Sequence, residues 1–281
     1  MMKRVLLVED SPMMAKVMTY MLRQELQVTP VVTTTLAETR EYFEQGALAD
    51  VDHIAAIVDL HLPDAPNGEA LDYVLSQGIP VIVLTASDDQ AQRDTILKKG
   101  VVDYMVKEGR FAYEYVVRLV RRLDQNRHMH VLVVDDSLAT RGLVSSLLRL
   151  FRFQVHEAVD GQQALRIYSQ HPAIELVVTD FEMPMMDGVE LVKALRQKQG
   201  PNSLPIIGIS GGDKGEISAR FIKSGANDFL RKPFSVEEFN CRIIQCIESV
   251  EQIRALHRAA TSDALTGLSN RRHFFEQGEP Q

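Results

Sequence analysis

Val5-Leu6-Leu7-Val8-Glu9-Asp10-Ser11 decides the fold, because the chain writes it twice: it returns as Val131-Leu132-Val133-Val134-Asp135-Asp136-Ser137. Four aliphatic residues closed by two acids and a serine read as a strand buried on both faces that ends in a polar turn. Ser11 is placed to cap a helix, with Pro12 at its first position. The repeat continues in order. Ala56-Ile57-Val58-Asp59 returns as Leu176-Val177-Val178-Thr179-Asp180, and Val81-Ile82-Val83-Leu84-Thr85 as Ile206-Ile207-Gly208-Ile209-Ser210. Asp103-Tyr104-Met105-Val106-Lys107 returns as Asp228-Phe229-Leu230-Arg231-Lys232. The spacing is 126 from Asp10 to Asp136, 121 from Asp59 to Asp180, and 125 from Thr85 to Ser210 and from Lys107 to Lys232. Four matches in one order at nearly constant spacing make a duplicated domain.

Between the apolar runs lie helical patterns. Pro12 to Leu26 carries apolar residues at Met14, Val17, Met18, Met21 and Leu22, and Leu138 to Phe151 repeats the layout after Ser137. The methionines read as core fillers. Alternating strands and helices imply parallel βαβ units with right-handed crossovers. Five units per copy give an α/β fold, a doubly wound parallel sheet in each of two tandem domains. Such sheets bind ligands beyond the carboxyl ends of their strands, where the strand order reverses. The first copy closes in a helix from about Phe111 to Asp124, and Asn126 to His130 reads as a junction, with His128-Met129-His130 a linker rather than a metal site. The second closes in a helix from about Val236 to Val250 that runs on through Ile253 and Leu256 towards Ala260. The expected domains are residues 1–125 and 126–250, with 251–281 as a helical extension and remainder.

Bulk properties set limits. A length of 281 residues suits two domains, and 45% apolar residues suffice for two cores. A net charge of −7 gives no support for nucleic-acid binding through phosphate neutralisation. Cys241 and Cys246 read as reduced thiols, consistent with a cytoplasmic protein. The apolar run at the N-terminus is too short for a signal peptide, and no run approaches a membrane span.

The acids at the predicted strand ends carry the chemistry. In the first copy Glu9, Asp10 and Asp59 gather at one sheet edge with Thr85 and Lys107; in the second, Asp135, Asp136 and Asp180 gather with Ser210 and Lys232. Three clustered carboxylates repel one another, and a bound Mg²⁺ resolves the repulsion with a few carboxylates, waters and phosphate oxygens. An aspartate can then act as the nucleophile in phosphoryl transfer, with the lysine and the hydroxyl neutralising the equatorial oxygens.

This constellation resembles the receiver domain of two-component response regulators over about residues 2–124 and 129–250. The resemblance implies two flavodoxin-like, five-stranded parallel sheets of the CheY-like type. It places the phospho-acceptors at Asp59 and Asp180. It makes Asp10 and Asp136 direct Mg²⁺ ligands, with Glu9 and Asp135 acting largely through water and the backbone carbonyls of His61 and Glu182 completing each set. The expected switch pairs are Thr85 with Tyr104 and Ser210 with Phe229, the hydroxyl turning to the phosphoryl group and the aromatic following inward. The implied partners are a histidine kinase or histidine phosphotransfer protein and a second copy of the chain.

Two departures mark the first copy. The Lys-Pro of the pattern stands at Lys232-Pro233, where a cis bond is expected, but the first copy has Lys107-Glu108. Its loop from Asp59 to Gly68 is one residue longer than that from Asp180 to Gly188. Finally, Asp263-Ala264-Leu265-Thr266-Gly267-Leu268-Ser269-Asn270-Arg271-Arg272 is similar to the opening of diguanylate cyclase (GGDEF) domains. It is expected to be the truncated start of such a domain, so the chain itself is no cyclase; Gly211-Gly212-Asp213 belongs to the loop after Ser210 instead. The expected function is an input module that accepts phosphate on Asp59, Asp180 or both and controls the synthesis of cyclic di-GMP. The alternative is that one copy, the first, is an unphosphorylated adaptor for dimerisation or partner binding. A transcription factor is disfavoured.

Overall fold

Strands and helices alternate along the computed structural model, which describes residues 2–45, 51–211 and 215–261. The first half runs β1 (Met2–Val8), α1 (Pro12–Glu25), β2 (Thr29–Thr33), α2 (Leu36–Glu44), β3 (Val51–Val58), α3 (Glu69–Ser76), β4 (Val81–Thr85), α4 (Gln90–Leu97), β5 (Asp103–Val106) and α5 (Gly109–Asn126). The second half runs β6 (His130–Val134), α6 (Leu138–Leu150), β7 (Gln154–Ala158), α7 (Gly161–Gln170), β8 (Ile174–Asp180), α8 (Gly188–Arg196), β9 (Ile206–Ser210), α9 (Gly215–Lys223), β10 (Asp228–Arg231) and α10 (Val236–Thr261). Two compact units divide after His128, residues Ser146–Gln154 counting with the first, and each unit holds one sheet.

Both sheets have the same order, β2-β1-β3-β4-β5 and β7-β6-β8-β9-β10. Each sheet grows one way from its first strand and then reverses, so the crevice at the switch point lies between the carboxyl ends of β1 and β3, and of β6 and β8. The central strands are apolar throughout because helices cover both faces. Val5, Leu6, Leu7 and Val8 are all 1% exposed or less. Burying each such side chain contributes on the order of 1.5–3 kcal/mol.

The duplicated, doubly wound α/β fold is the one expected, with local differences. In α1 the inward stripe is Ala15, Met18 and Leu22, and Val17 faces solvent. Residues 15, 18 and 22 keep the i, i+3, i+7 helical spacing on one face, and the small Ala15 lets the helix approach the sheet. The helix α5 runs through Asn126, and His130 begins β6, so the junction is shorter than expected. His130 is a strand residue: its Nδ1 lies 2.9 Å from Nε2 of His156 on β7. The Lys232-Pro233 bond is cis. Cys246 is buried, and burial pushes its thiol up to about 12, while Cys241 is exposed. No described helix is long and apolar enough to cross a membrane.

The loops that leave β3 and β8 differ between the copies. In the first copy Leu62 and Ala65 bond each other across a tight turn, and the Asp64 carboxylate accepts from the N–H groups of Leu36 and Ala37 at 2.9 and 3.0 Å. The longer loop is thereby pinned to the N-terminus of α2, a favourable place for an anion. In the second copy Gly188 gives the close approach. A Cβ there would lie 2.0 Å from the Asp180 carbonyl oxygen.

Two outcomes follow. Gly188→Ala should destabilise the second copy by about 2 kcal/mol through overpacking and leave the first unchanged; urea unfolding followed by hydrogen exchange in each sheet reads this. Burial, and then its neighbours His171 and His130, hold the His156 imidazole below its ordinary pKa. A base whose folded pKa is depressed adds stability above its unfolded pKa, and that stability is lost as pH falls. Acidification below about 6.5 should therefore weaken the second copy, and His156→Gln should flatten that dependence in thermal melts.

Candidate functional site

The carboxyl edge of each sheet brings the predicted site residues together. Glu9 and Asp10 follow β1, Asp59 follows β3, Thr85 ends β4, and Lys107 follows β5. The parallel register makes this convergence obligatory: Asp59 N–H donates to the Val8 carbonyl and Lys107 N–H to the Thr85 carbonyl, at 2.9 and 2.7 Å. Lys107 Nζ then reaches back across the sheet end to Asp59 Oδ2 at 2.6 Å and Glu9 Oε2 at 2.7 Å. Glu9 is 2% exposed and Asp59 7%, while Asp10 opens to solvent. Burial raises the Glu9 carboxyl above its ordinary range, against the pull of Lys107. Burial would lower the Lys107 ammonium, but its bonds to Asp59 and Glu9 hold it above its ordinary value.

The second copy repeats the arrangement. Lys232 Nζ donates to Asp180 Oδ1 at 2.6 Å and to Asp135 Oδ2 at 2.9 Å. Lys232 N–H donates to the Ser210 carbonyl at 2.8 Å, the counterpart of the Lys107 bond to Thr85. Asp135 and Asp180 are buried and Asp136 is exposed. Burial pushes the Asp180 carboxyl up, and Lys232 only partly offsets this.

The donor sets suit a hard divalent cation. Carboxylate oxygens of Glu9, Asp10 and Asp59 all lie within 4.8 Å of one another. Among the described residues this first set is the one that converges so closely. Hard oxygen donors with room for water fit Mg²⁺.

The aromatics expected to form switch pairs sit differently in the two copies. Tyr104 is already inside the core at 0% exposure, its hydroxyl donating to the Ser87 carbonyl at 2.9 Å. Phe229 is half-buried, its ring centroid 5.7 Å from that of Phe221. Thr85 Oγ1 lies 3.5 Å from His61 Nδ1 and accepts from Ser87 N–H at 3.3 Å.

The family model for the response regulator receiver domain matches residues 5–113 and 131–244. The chain belongs to the response regulator receiver family. The two-component response regulator ORR5 of Oryza sativa subsp. japonica is 33% identical over 113 residues, 40% of this chain and 84% of its own length. The regulatory protein VirG of Agrobacterium tumefaciens (strain 15955) is 39% identical over 116 residues, 41% of this chain and 42% of its own. Two solved structures, described as two-component system response regulator/GGDEF domain proteins, are 42% identical with a TM-score of 0.80, covering 88% of this chain and 99% of theirs.

Sequence reasoning missed two supports of the receiver sites. In the second receiver the Arg141 guanidinium donates to the Asp135 carbonyl at 2.7 Å and pairs with Glu157 at 3.3 Å. It steadies the turn that carries Asp135 and Asp136. In the first receiver the His61 imidazole stands beside the Thr85 hydroxyl, where only its backbone carbonyl was expected to matter. Arg141 was visible as a cation one turn into the helix after Asp136; nothing in the sequence aimed the ring of His61.

Lys107→Met leaves two buried carboxylates without a counter-charge. Without Mg²⁺ it should cost the first receiver about 3 kcal/mol at neutral pH. Burial already raises the Glu9 carboxyl, and without Lys107 nothing opposes it, so this cost applies where Glu9 is ionised and lessens as it protonates, below about pH 4. Urea midpoints at the two pH values, with Mg²⁺ added at neutral pH to restore part of the loss, check it.

Proposed function

We propose that this chain is the input module of a two-component system, accepting phosphoryl groups on Asp59, Asp180 or both from a histidine kinase or histidine phosphotransfer protein. The observation that carries this is the lysine ammonium held 2.6 Å from the buried acceptor aspartate in both receivers. A carboxylate oxygen attacks the phosphorus of the donor phosphohistidine, an O–P bond forms, the P–N bond breaks, and the imidazole leaves with its electron pair. The lysine is positioned to move from the free carboxylate to the incoming phosphoryl oxygens, and Thr85 or Ser210 to donate its hydroxyl to them. Glu9, Asp10, Asp59 and the His61 carbonyl would hold Mg²⁺ in the first receiver; Asp135, Asp136, Asp180 and the Glu182 carbonyl would hold it in the second. When bound, the metal supplies charge neutralisation at the transferring group.

The output is the control of cyclic di-GMP synthesis, in a cytoplasmic homodimer, by a diguanylate cyclase domain joined through α10. Its support is the similarity to the two response regulator/GGDEF structures and the sequence 263–272, which lies outside the described residues. The burial of Tyr104 favours a second reading for the first receiver. An aromatic already inside has no inward step left, as expected of an adaptor whose surface is preset. The converging carboxylates at Asp59 favour phosphorylation there.

Incubating the chain with acetyl phosphate and Mg²⁺, then counting phosphates by intact mass, tests both readings. Two phosphates on the wild type, one each on Asp59→Ala and Asp180→Ala, and none on the double variant are expected. One phosphate on the wild type, retained in Asp59→Ala, would establish the adaptor reading. No phosphate under any condition sinks the proposal.

A further inference from the structure

The helix α10 is held to the second receiver in two different ways. Up to Val250 it is held by burial: Phe239, Ile243, Ile244, Ile247 and Val250 are all 3% exposed or less. Beyond that point burial stops, with Ile253 39% and Leu256 71% exposed. The last turns are gripped instead by Arg254. Its Nε donates to the Asn202 carbonyl at 2.9 Å and its Nη2 to the Ser203 carbonyl, while Nη1 lies 3.9 Å from Glu175 Oε2. Charge-assisted bonds from one planar guanidinium to adjacent carbonyls fix a direction as well as a distance.

The gripped loop is itself tied down. Ser203 and Leu204 N–H both donate to the Gly200 carbonyl, at 3.0 and 3.2 Å, and Leu204 is 1% exposed. Asn227 joins this loop to the sheet. Its Nδ2 donates to the Pro201 carbonyl at 3.1 Å, and its Oδ1 accepts from Ile206 N–H and from Arg196 Nη2, both at 2.9 Å. Ile206 opens β9, which ends at Ser210; Asn227 immediately precedes β10, which carries Phe229. One side chain therefore links the loop under Arg254 to the two strands that bear the switch pair. The 125-residue spacing of Lys107 and Lys232 puts Val102 at this place in the first receiver, and valine cannot make these bonds.

We propose that Arg254 is a releasable clamp on the last turns of α10, and that Asn227 makes the clamp respond to the state of Asp180. This rests on Asp180 being a phospho-acceptor. Movement of Ser210 and Phe229 on phosphorylation shifts the starts of β9 and β10, the 200–203 loop follows through Asn227, and the carbonyls move out of line with the guanidinium. The helix end is freed while the buried stripe keeps its base in place.

Hydrogen exchange at residues 251–261 of the full chain tests this, read with and without acetyl phosphate and Mg²⁺, with intact mass recording phosphate on the same samples. In the Asp59→Ala background phosphorylation should speed exchange there by about tenfold. Arg254→Gln should be about tenfold faster before any phosphodonor is added and should gain nothing further, with Asp180 phosphorylated as before. Asn227→Val, checked for folding by thermal melt, should take phosphate without the exchange response. Arg254→Gln exchanging within about twofold of its parent overturns the clamp, since loss of a charge-assisted grip must show there. Phosphate on Asp180 with unchanged exchange at 251–261 overturns the coupling. Absence of phosphate on Asp180 brings down the acceptor reading and the coupling with it, and the Arg254→Gln comparison without phosphodonor still decides the clamp.

Discussion

A lysine bridging two buried carboxylates is the interaction on which each receiver edge depends. Asp59 and Glu9 come from neighbouring strands, and Lys107 comes from the far edge of the same sheet. Like charges so close and so buried would drive each other to the neutral acid. The ammonium offsets both charges and holds the cluster together. It also imposes geometry, because a lysine after β5 reaches the end of β3 only if β4 lies between them in register. The parallel pairing of β3, β4 and β5 supplies that register. Chemistry and topology are thus one requirement: the strand order that exposes the crevice also delivers its counter-charge.

The two receivers meet this requirement with different supports. The first pins its longer loop after β3 to the start of α2 through Asp64. The second packs its loop at Gly188, where no side chain fits, and braces the Asp135 turn with Arg141. Supports of such different polarity respond differently to the same event. A carboxylate on two backbone N–H groups can give way by exchange with water, whereas a glycine against a carbonyl gives way only by moving backbone. Similar lysine–carboxylate clusters therefore stand on surroundings with different compliance, which is how a duplicated domain can divide its labour.

Much of this was legible in the sequence, for a physical reason. A strand that must be apolar on both faces and then stop at an acid leaves little freedom, and finding it twice at a 126-residue spacing removed the ambiguity of a single motif. The acids, hydroxyls and lysines that the repeat marks lie at or just after strand ends in both copies. What the sequence hid depends on rotation and reach. Whether Ala15 or Val17 faces the sheet turns on a rotation of α1 too small for an apolar count to resolve. The burial of Tyr104 depends on Ser87 offering a carbonyl to its hydroxyl, a contact across 17 residues. Asn227 reads as an ordinary turn residue until the strands on either side of it are placed.

The change in how α10 is held, from burial to polar grip, matters because the two forces have different ranges of adjustment. Five large side chains buried between Phe239 and Val250 contribute on the order of 10 kcal/mol together, far more than the few kcal/mol that separate two populated conformers. That part of the helix cannot be a switch. A half-buried guanidinium on two carbonyls contributes about 1–3 kcal/mol, within reach of what a charge change at a distant strand end can shift. Under the proposed clamp, a charge change at Asp180 should therefore redirect the end of α10 without displacing its base, a pivot with a fixed foot.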